Sequence, residues 1–234
     1  MPDMNTPRYG AIFDLDGTLV ASEVLYQRAT GFILKKAGRS LSELTPQEKA
    51  AIPGRSAIRN MRFYCERFEL PWSPEFLVEK RMEIVAGLVR EEGVMLIPGA
   101  MEFCEMLRAE PFRMAVASSS PGPYVRLVLE TTGLAGLFDA VLSGDDVTAH
   151  KPDPEIFLTA AARLECPPRS CLVFEDADSG LQAAKAAGMK SILIDNETIL
   201  PEQKLGATRV IPHYCGLGIS EVKRVINGGI ILLD

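Results

Sequence analysis

Two acids one residue apart, Asp14 and Asp16, end the apolar run Tyr9-Gly-Ala-Ile-Phe13 and precede Gly17. A buried run that ends in carboxylates costs several kcal/mol unless a cation compensates them. Gly17 permits a sharp turn, so both carboxylates can point into one site, although Asp14–Thr18 would also serve as an ordinary Asp-Gly turn. A second acidic pair, Glu175 and Asp176, ends the run Ser170-Cys-Leu-Val-Phe174. Three or four carboxylates at one place would repel one another without a divalent cation. Hard oxygen donors with no histidine or cysteine among them favour Mg²⁺. Read alone, the second pair could equally cap the helix that follows.

Two further groups suit an anion. Ser118 and Ser119 follow the run Arg113-Met-Ala-Val-Ala117. There hydroxyls and backbone N–H groups can hold phosphate oxygens or simply cap a helix. Lys151 stands just before an expected helix, where a cation opposes the helix dipole. That placement is sensible if Lys151 neutralises a phosphate and the clustered acids; read alone, it is an exposed surface lysine.

These residues must be brought together by the elements that carry them. Short apolar runs at 9–14, 113–118, 138–143, 170–175 and 190–195 alternate with helical patterns at 100–108, 124–132, 154–164 and 180–187. Such alternation predicts an α/β, Rossmann-like parallel sheet with helices on both faces. A further strand is expected at 208–211 and a closing helix at 220–226. Asp14, Ser118 and Glu175-Asp176 then share the carboxyl edge of the sheet, where open parallel sheets bind ligands. Residues 21–96 have helical spacing throughout, with Pro53-Gly54 and Pro71-Trp72-Ser73-Pro74 as breakers. The expected organisation is a core of residues 1–20 and 97–234, interrupted by a helical cap at 21–96.

Composition narrows the function. A net charge of −6 argues against nucleic-acid binding, and no uncharged apolar run approaches the roughly 18 residues of a membrane span. The beginning of the chain lacks the pattern of a secretion signal. Five scattered cysteines, none in a CxxC, read as small buried hydrophobes in a reducing compartment, so a cytoplasmic protein is expected.

Taken in order, Phe13-Asp-Leu-Asp-Gly-Thr-Leu19, Ala117-Ser-Ser119, Lys151-Pro-Asp-Pro154 and Phe174-Glu-Asp-Ala-Asp-Ser-Gly180 resemble the motifs of the haloacid dehalogenase-like hydrolase superfamily. The likeness continues through Ala183-Ala-Lys-Ala-Ala-Gly-Met189, and the helical insertion resembles the cap of the subgroup with β-phosphoglucomutase and phosphoglycolate phosphatase. The resemblance implies that Asp14 is the nucleophile that forms an aspartyl-phosphate and that Asp16 is the general acid and base. It implies Mg²⁺ held by Asp14, Asp176 and the Asp16 carbonyl, with Glu175 acting through water. Ser118, Ser119 and Lys151 would bind the phosphoryl oxygens, and Arg55 in the cap the distal part of the substrate.

The expected activity is Mg²⁺-dependent hydrolysis of a small phosphorylated metabolite, either a sugar phosphate or a phosphoglycolate-like molecule. A sugar phosphomutase is the alternative, and a catalytically silent binding protein the third reading. The mutase resemblance is weakened by Tyr26, where that enzyme has a histidine, and by Pro121-Gly122, where it has a Lys-Asn pair. A monomer or weak homodimer is expected. Of the two histidines, His150 has a small prospect of touching substrate and His213 is expected on the surface, while Trp72 is expected to pack within the cap.

Overall fold

Continuous apolar strands have no polar face to show water, so they pair side by side and are covered above and below. In the computed structural model, which describes residues 9–52, 56–195 and 201–228, six such strands form one sheet. They are β1 (Tyr9–Phe13), β2 (Phe112–Ala117), β3 (Ala140–Leu142), β4 (Cys171–Glu175), β5 (Lys190–Ile194) and β6 (Arg209–Ile211). All neighbours are parallel, in the order β3-β2-β1-β4-β5-β6. The strand order therefore reverses at β1, which lies between β2 and β4.

Four helices follow β1: α1 (Glu23–Lys36), α2 (Pro46–Ala50), α3 (Ala57–Phe68) and α4 (Pro74–Glu92). The remaining helices alternate with strands: α5 (Ala100–Arg108), α6 (Gly122–Thr131), α7 (Glu155–Arg163), α8 (Asp178–Ala186), α9 (Pro201–Lys204) and α10 (Ile219–Ile226). Boundaries differ from the sequence expectation by one or two residues. β1 and β2 stop before Asp14 and Ser118, which the expectation had included. α6 starts at Gly122 instead of Tyr124, its N-cap being Pro121 in extended backbone.

Successive strand residues face opposite sides of the sheet. Ile12, Ala115 and Val173 pack with Phe157, Ala160 and Ala161 of α7 and with Ala183 and Ala184 of α8. Phe13 and Phe174 turn the other way and stack on each other at 4.5 Å between ring centroids. Phe103 from α5 and Tyr214 join them, stacked on each other at 5.1 Å. Both faces of the central strands are thus closed to water directly beneath the acidic edge.

The chain divides into two compact units, residues Ser22–Val94 and the remainder. The smaller one is all helix and has its own core, in which Ile33, Leu34, Leu44, Met61, Tyr64, Phe68 and Leu77 are buried and Trp72 packs against them. A capping box at Thr45 and Glu48 starts α2, each satisfying the other's backbone N–H. Among the described residues no helix is long and apolar enough to cross a membrane.

Candidate active site

The residues singled out by chemistry converge on the carboxyl ends of the three central strands. Asp14 follows β1 and is anchored by its own N–H, which donates to the Phe174 carbonyl at 2.9 Å. Ser118 follows β2, with its N–H donating to the Leu142 carbonyl of β3 at 3.1 Å. Glu175 ends β4, and Asp176 is the next residue. The point where strand order reverses is where the loops on either side diverge and leave a crevice.

Lys151 is no surface lysine. Its side chain is only 4% exposed, and its three ammonium donors are all used. Nζ donates to Asp14 Oδ1 at 2.6 Å, to Glu175 Oε1 at 2.7 Å and to the Ala117 carbonyl at 3.0 Å. The local sequence hides this, because the partners come from three separate segments, at the ends of β2 and β4 and just after β1. The loop before Lys151 is held by Glu155, whose carboxylate accepts from the N–H groups of Thr148 and Ala149 and from the Thr148 hydroxyl. Glu175 is committed likewise: its second oxygen accepts the N–H groups of Asp176 and Ala177, each at 2.9 Å. It therefore holds the lysine and the turn.

Asp14, Glu175 and Asp176 each offer a carboxylate oxygen, and these lie within 4.8 Å of one another. One ammonium faces three acids, and the electrostatics register the deficit. The Asp14 carboxyl is raised from 3.8 to about 7, chiefly by burial and further by Glu175 and Asp16, against the pull of Lys151. Asp176 is raised well above the carboxylate range, first by burial and then by Glu175 and Asp14. Burial opposes the charge on Lys151, but Asp14 and Glu175 outweigh it and hold the ammonium protonated. A hard divalent cation would supply the missing positive charge, and an all-oxygen donor set suits Mg²⁺.

Asp16 is held by different chemistry. Ser120 Oγ donates to its Oδ2 at 2.7 Å, and the Tyr124 hydroxyl donates to its Oδ1 at 2.9 Å. Ser118 Oγ accepts the Ser120 N–H at 3.1 Å, which tightens the turn beside Asp14. Ser119, by contrast, is exposed. Thr18 is fully buried and its hydroxyl donates to Asp176 Oδ1 at 3.4 Å.

Sequence reasoning missed Ser120, Tyr124 and Thr18 as members of the site. Ser120 was hidden inside a serine run, and Tyr124 reads as an ordinary apolar position of α6. Gly180 was also missed: a Cβ there would meet the Glu175 carboxylate carbon at 1.9 Å. Gly17, at φ +80, would bring a Cβ within 2.0 Å of Asp176 Oδ2. Both glycines are gaps that buried carboxylates fill. Gly180→Ala should accordingly displace Glu175 and loosen Lys151, destabilising the fold by roughly 1–3 kcal/mol. In urea unfolding, an unchanged midpoint for this variant would show that the carboxylate has room to move.

The other expectations divide. Arg55, with Pro53-Gly54, lies outside the described residues. Tyr26 lies in the helical unit, its ring 5.0 Å from the Arg81 guanidinium carbon, on a pocket of about 450 Å³ that Asn60 and Tyr64 also line. His150 is exposed, whereas His213 is half-buried, contrary to its expected surface position. Cys104, Cys166 and Cys171 are buried as expected and Cys65 partly so, but Cys215 is exposed. The Pro121-Gly122 step carries no side-chain donor, and the Gly122 N–H is taken by Asp145 Oδ2 at 2.8 Å.

Known proteins share this arrangement of sequence and fold. The family model for haloacid dehalogenase-like hydrolases matches residues 11–194. Hexitol phosphatase B from Escherichia coli strain K12 is 32% identical over 197 residues, 82% of this chain and 86% of that protein. A fructose-1-phosphate phosphatase from the same strain is 32% identical over 185 residues, 78% of this chain and 94% of that one. The crystal structure of CbbY from Rhodobacter sphaeroides in complex with phosphate superposes with a TM-score of 0.76 at 25% identity, covering 91% of this chain and 98% of that one.

Proposed function

The chain belongs to the haloacid dehalogenase-like hydrolase family, and we propose that it hydrolyses a small sugar-phosphate monoester through an aspartyl-phosphate on Asp14, with Mg²⁺ as cofactor. The observation that carries this reading is the Asp14 carboxylate, buried at the sheet edge against the Lys151 ammonium at 2.6 Å and grouped with Glu175 and Asp176. A carboxylate that merely stabilised the fold would need neither the two extra acids nor a crevice.

In the first half-reaction an Asp14 oxygen attacks phosphorus as the bond to the leaving oxygen breaks, and Asp16 gives its proton to that oxygen. In the second, Asp16 takes a proton from water, which attacks the phosphoryl group and releases inorganic phosphate from Asp14. Lys151 and the N–H and hydroxyl groups around Ser118 hold the phosphoryl oxygens, and Glu175 keeps Lys151 in place. When bound, Mg²⁺ would be held by Asp14, Asp176 and the Asp16 carbonyl, and would offset the charge of the transferring group.

Two relatives named as a hexitol phosphatase and a fructose-1-phosphate phosphatase support a phosphorylated sugar or polyol as the substrate class. The lack of side-chain donors at Pro121-Gly122 supports water, rather than a second sugar hydroxyl, as the acceptor.

The test is phosphate release from a panel of sugar and polyol phosphates, in EDTA and then in excess Mg²⁺. Mg²⁺-dependent release is expected. Protein that stays inactive on every ester with the metal present would end this reading, and isomerised sugar phosphate in place of free phosphate would move it to a mutase.

A further inference from the structure

We infer that Ser120 and Tyr124 are positioning residues for Asp16, holding its carboxylate in one orientation through both halves of the reaction. The inference rests on the reading of Asp16 as proton donor and acceptor. Its basis is the pair of short bonds, 2.7 Å from Ser120 Oγ and 2.9 Å from the Tyr124 hydroxyl, one to each carboxylate oxygen. A carboxylate gripped at both oxygens cannot rotate about its last bond without losing both partners.

The choice of partners is chemically specific. Asp14 must remain an anion to attack phosphorus, and its partner is a permanent cation, which only ever donates. Asp16 must carry a proton in one step and lack it in the next. A hydroxyl suits that cycle because it both donates and accepts, turning its O–H as the carboxyl gains or loses its proton. Ser120 and Tyr124 keep their own protons throughout; the transferred proton passes only between Asp16 and the leaving oxygen or water.

Their location links the acid to the phosphate-holding turn. Tyr124 is in the first turn of α6 and only 3% exposed, so packing fixes its ring and leaves the O–H as its moving part. Ser120 is two residues beyond Ser118, and its N–H donates to Ser118 Oγ while its hydroxyl reaches Asp16. The segment after β2 thereby sets the phosphate-holding turn and the proton donor together.

The test compares two aryl esters of similar shape. Phenyl phosphate releases a basic phenoxide that needs a proton, whereas p-nitrophenyl phosphate releases a stable anion that hardly does. Tyr124→Phe keeps the ring and removes only the hydroxyl. It should lower kcat/KM roughly tenfold on phenyl phosphate and several-fold less on p-nitrophenyl phosphate, because only the first reaction depends on a well-aimed acid. Ser120→Ala should act in the same direction, and Ser120→Thr, which restores a hydroxyl, should recover most of the loss. Equal losses on both esters would make these side chains merely structural, and no loss on either would remove them from the site.

Thermal unfolding of the metal-free protein gives a second readout that needs no turnover. The effects of Tyr124→Phe and Asp16→Ala should be non-additive, since each deletes the same bond. Strict additivity would overturn the inference. An inactive wild type would instead count against the proposed function, and this cycle would still decide the contact.

Discussion

Asp14→Asn is expected to lower kcat by about 10⁴-fold or more if Asp14 is the nucleophile we propose, because no neighbouring group can take over the covalent step. The same substitution should make the metal-free protein more stable at pH 8, an outcome opposite in sign to the usual core polar mutation. The reason is the carboxyl raised from 3.8 to about 7 by burial, against the pull of Lys151. A group whose folded value is raised binds its proton more tightly in the native state. Between about pH 4 and pH 7 the unfolded chain has therefore released a proton that the folded chain still holds, and stability falls as pH rises through that window. Above it the native state carries a poorly solvated anion facing Glu175. Asparagine removes that anion, so the fall with pH should flatten and the variant should melt several degrees above wild type at pH 8, but not at pH 4. Mg²⁺ should stabilise the wild type more at pH 8 than at pH 5. Thermal melts at both pH values, with EDTA and with Mg²⁺, check both statements. A wild-type melting curve that rises from pH 5 to 8 in EDTA would contradict the argument, as would retained turnover in the variant.

Lys151→Met is the second large effect, and it should damage fold and activity together. The ammonium is only 4% exposed and bonds Asp14, Glu175 and the Ala117 carbonyl. Methionine fills a similar volume but leaves two buried carboxylates without their cation, a loss on the order of 3–5 kcal/mol. In the proposed mechanism the removed charge also holds the phosphoryl group, so kcat should fall by about 10²–10³-fold. Since the destabilisation comes from uncompensated anions, it should shrink at pH 5, where the raised Asp14 carboxyl can protonate. Denaturant unfolding at pH 5 and pH 8 separates this cause from lost packing, which pH would leave unchanged. Lys151→Arg is expected to rescue poorly, because a planar guanidinium cannot place three donors where a compact ammonium does.

Much of this molecule was legible in its residues, and the limits of that reading are physical. Apolar runs ending in acids imply buried strands and a cation, because neither unpaired backbone nor uncompensated carboxylates can be buried cheaply. Alternation with helices makes the strands parallel, and parallel strands align their carboxyl ends, so Asp14, Ser118 and Asp176 could be placed together without coordinates. What the chain could not reveal locally are contacts that depend on which strands become neighbours. Only the order β2-β1-β4 puts the Lys151 ammonium against Asp14 and Glu175 and turns an apparent surface lysine into a buried one. Only the fold brings Ser120 and Tyr124 to Asp16, because a hydroxyl has no periodic signature and Tyr124 fits the apolar face of α6 just as well as a phenylalanine would. Gly180 looked like helix texture until the Glu175 carboxylate was found in the space its missing Cβ leaves. Residue types and spacing determined which atoms could do the chemistry, through costs of burial that act wherever the chain goes. The tertiary structure decided that the Lys151 ammonium reaches Asp14 and that the Ser120 and Tyr124 hydroxyls reach Asp16, because those contacts depend on distances between segments over a hundred residues apart.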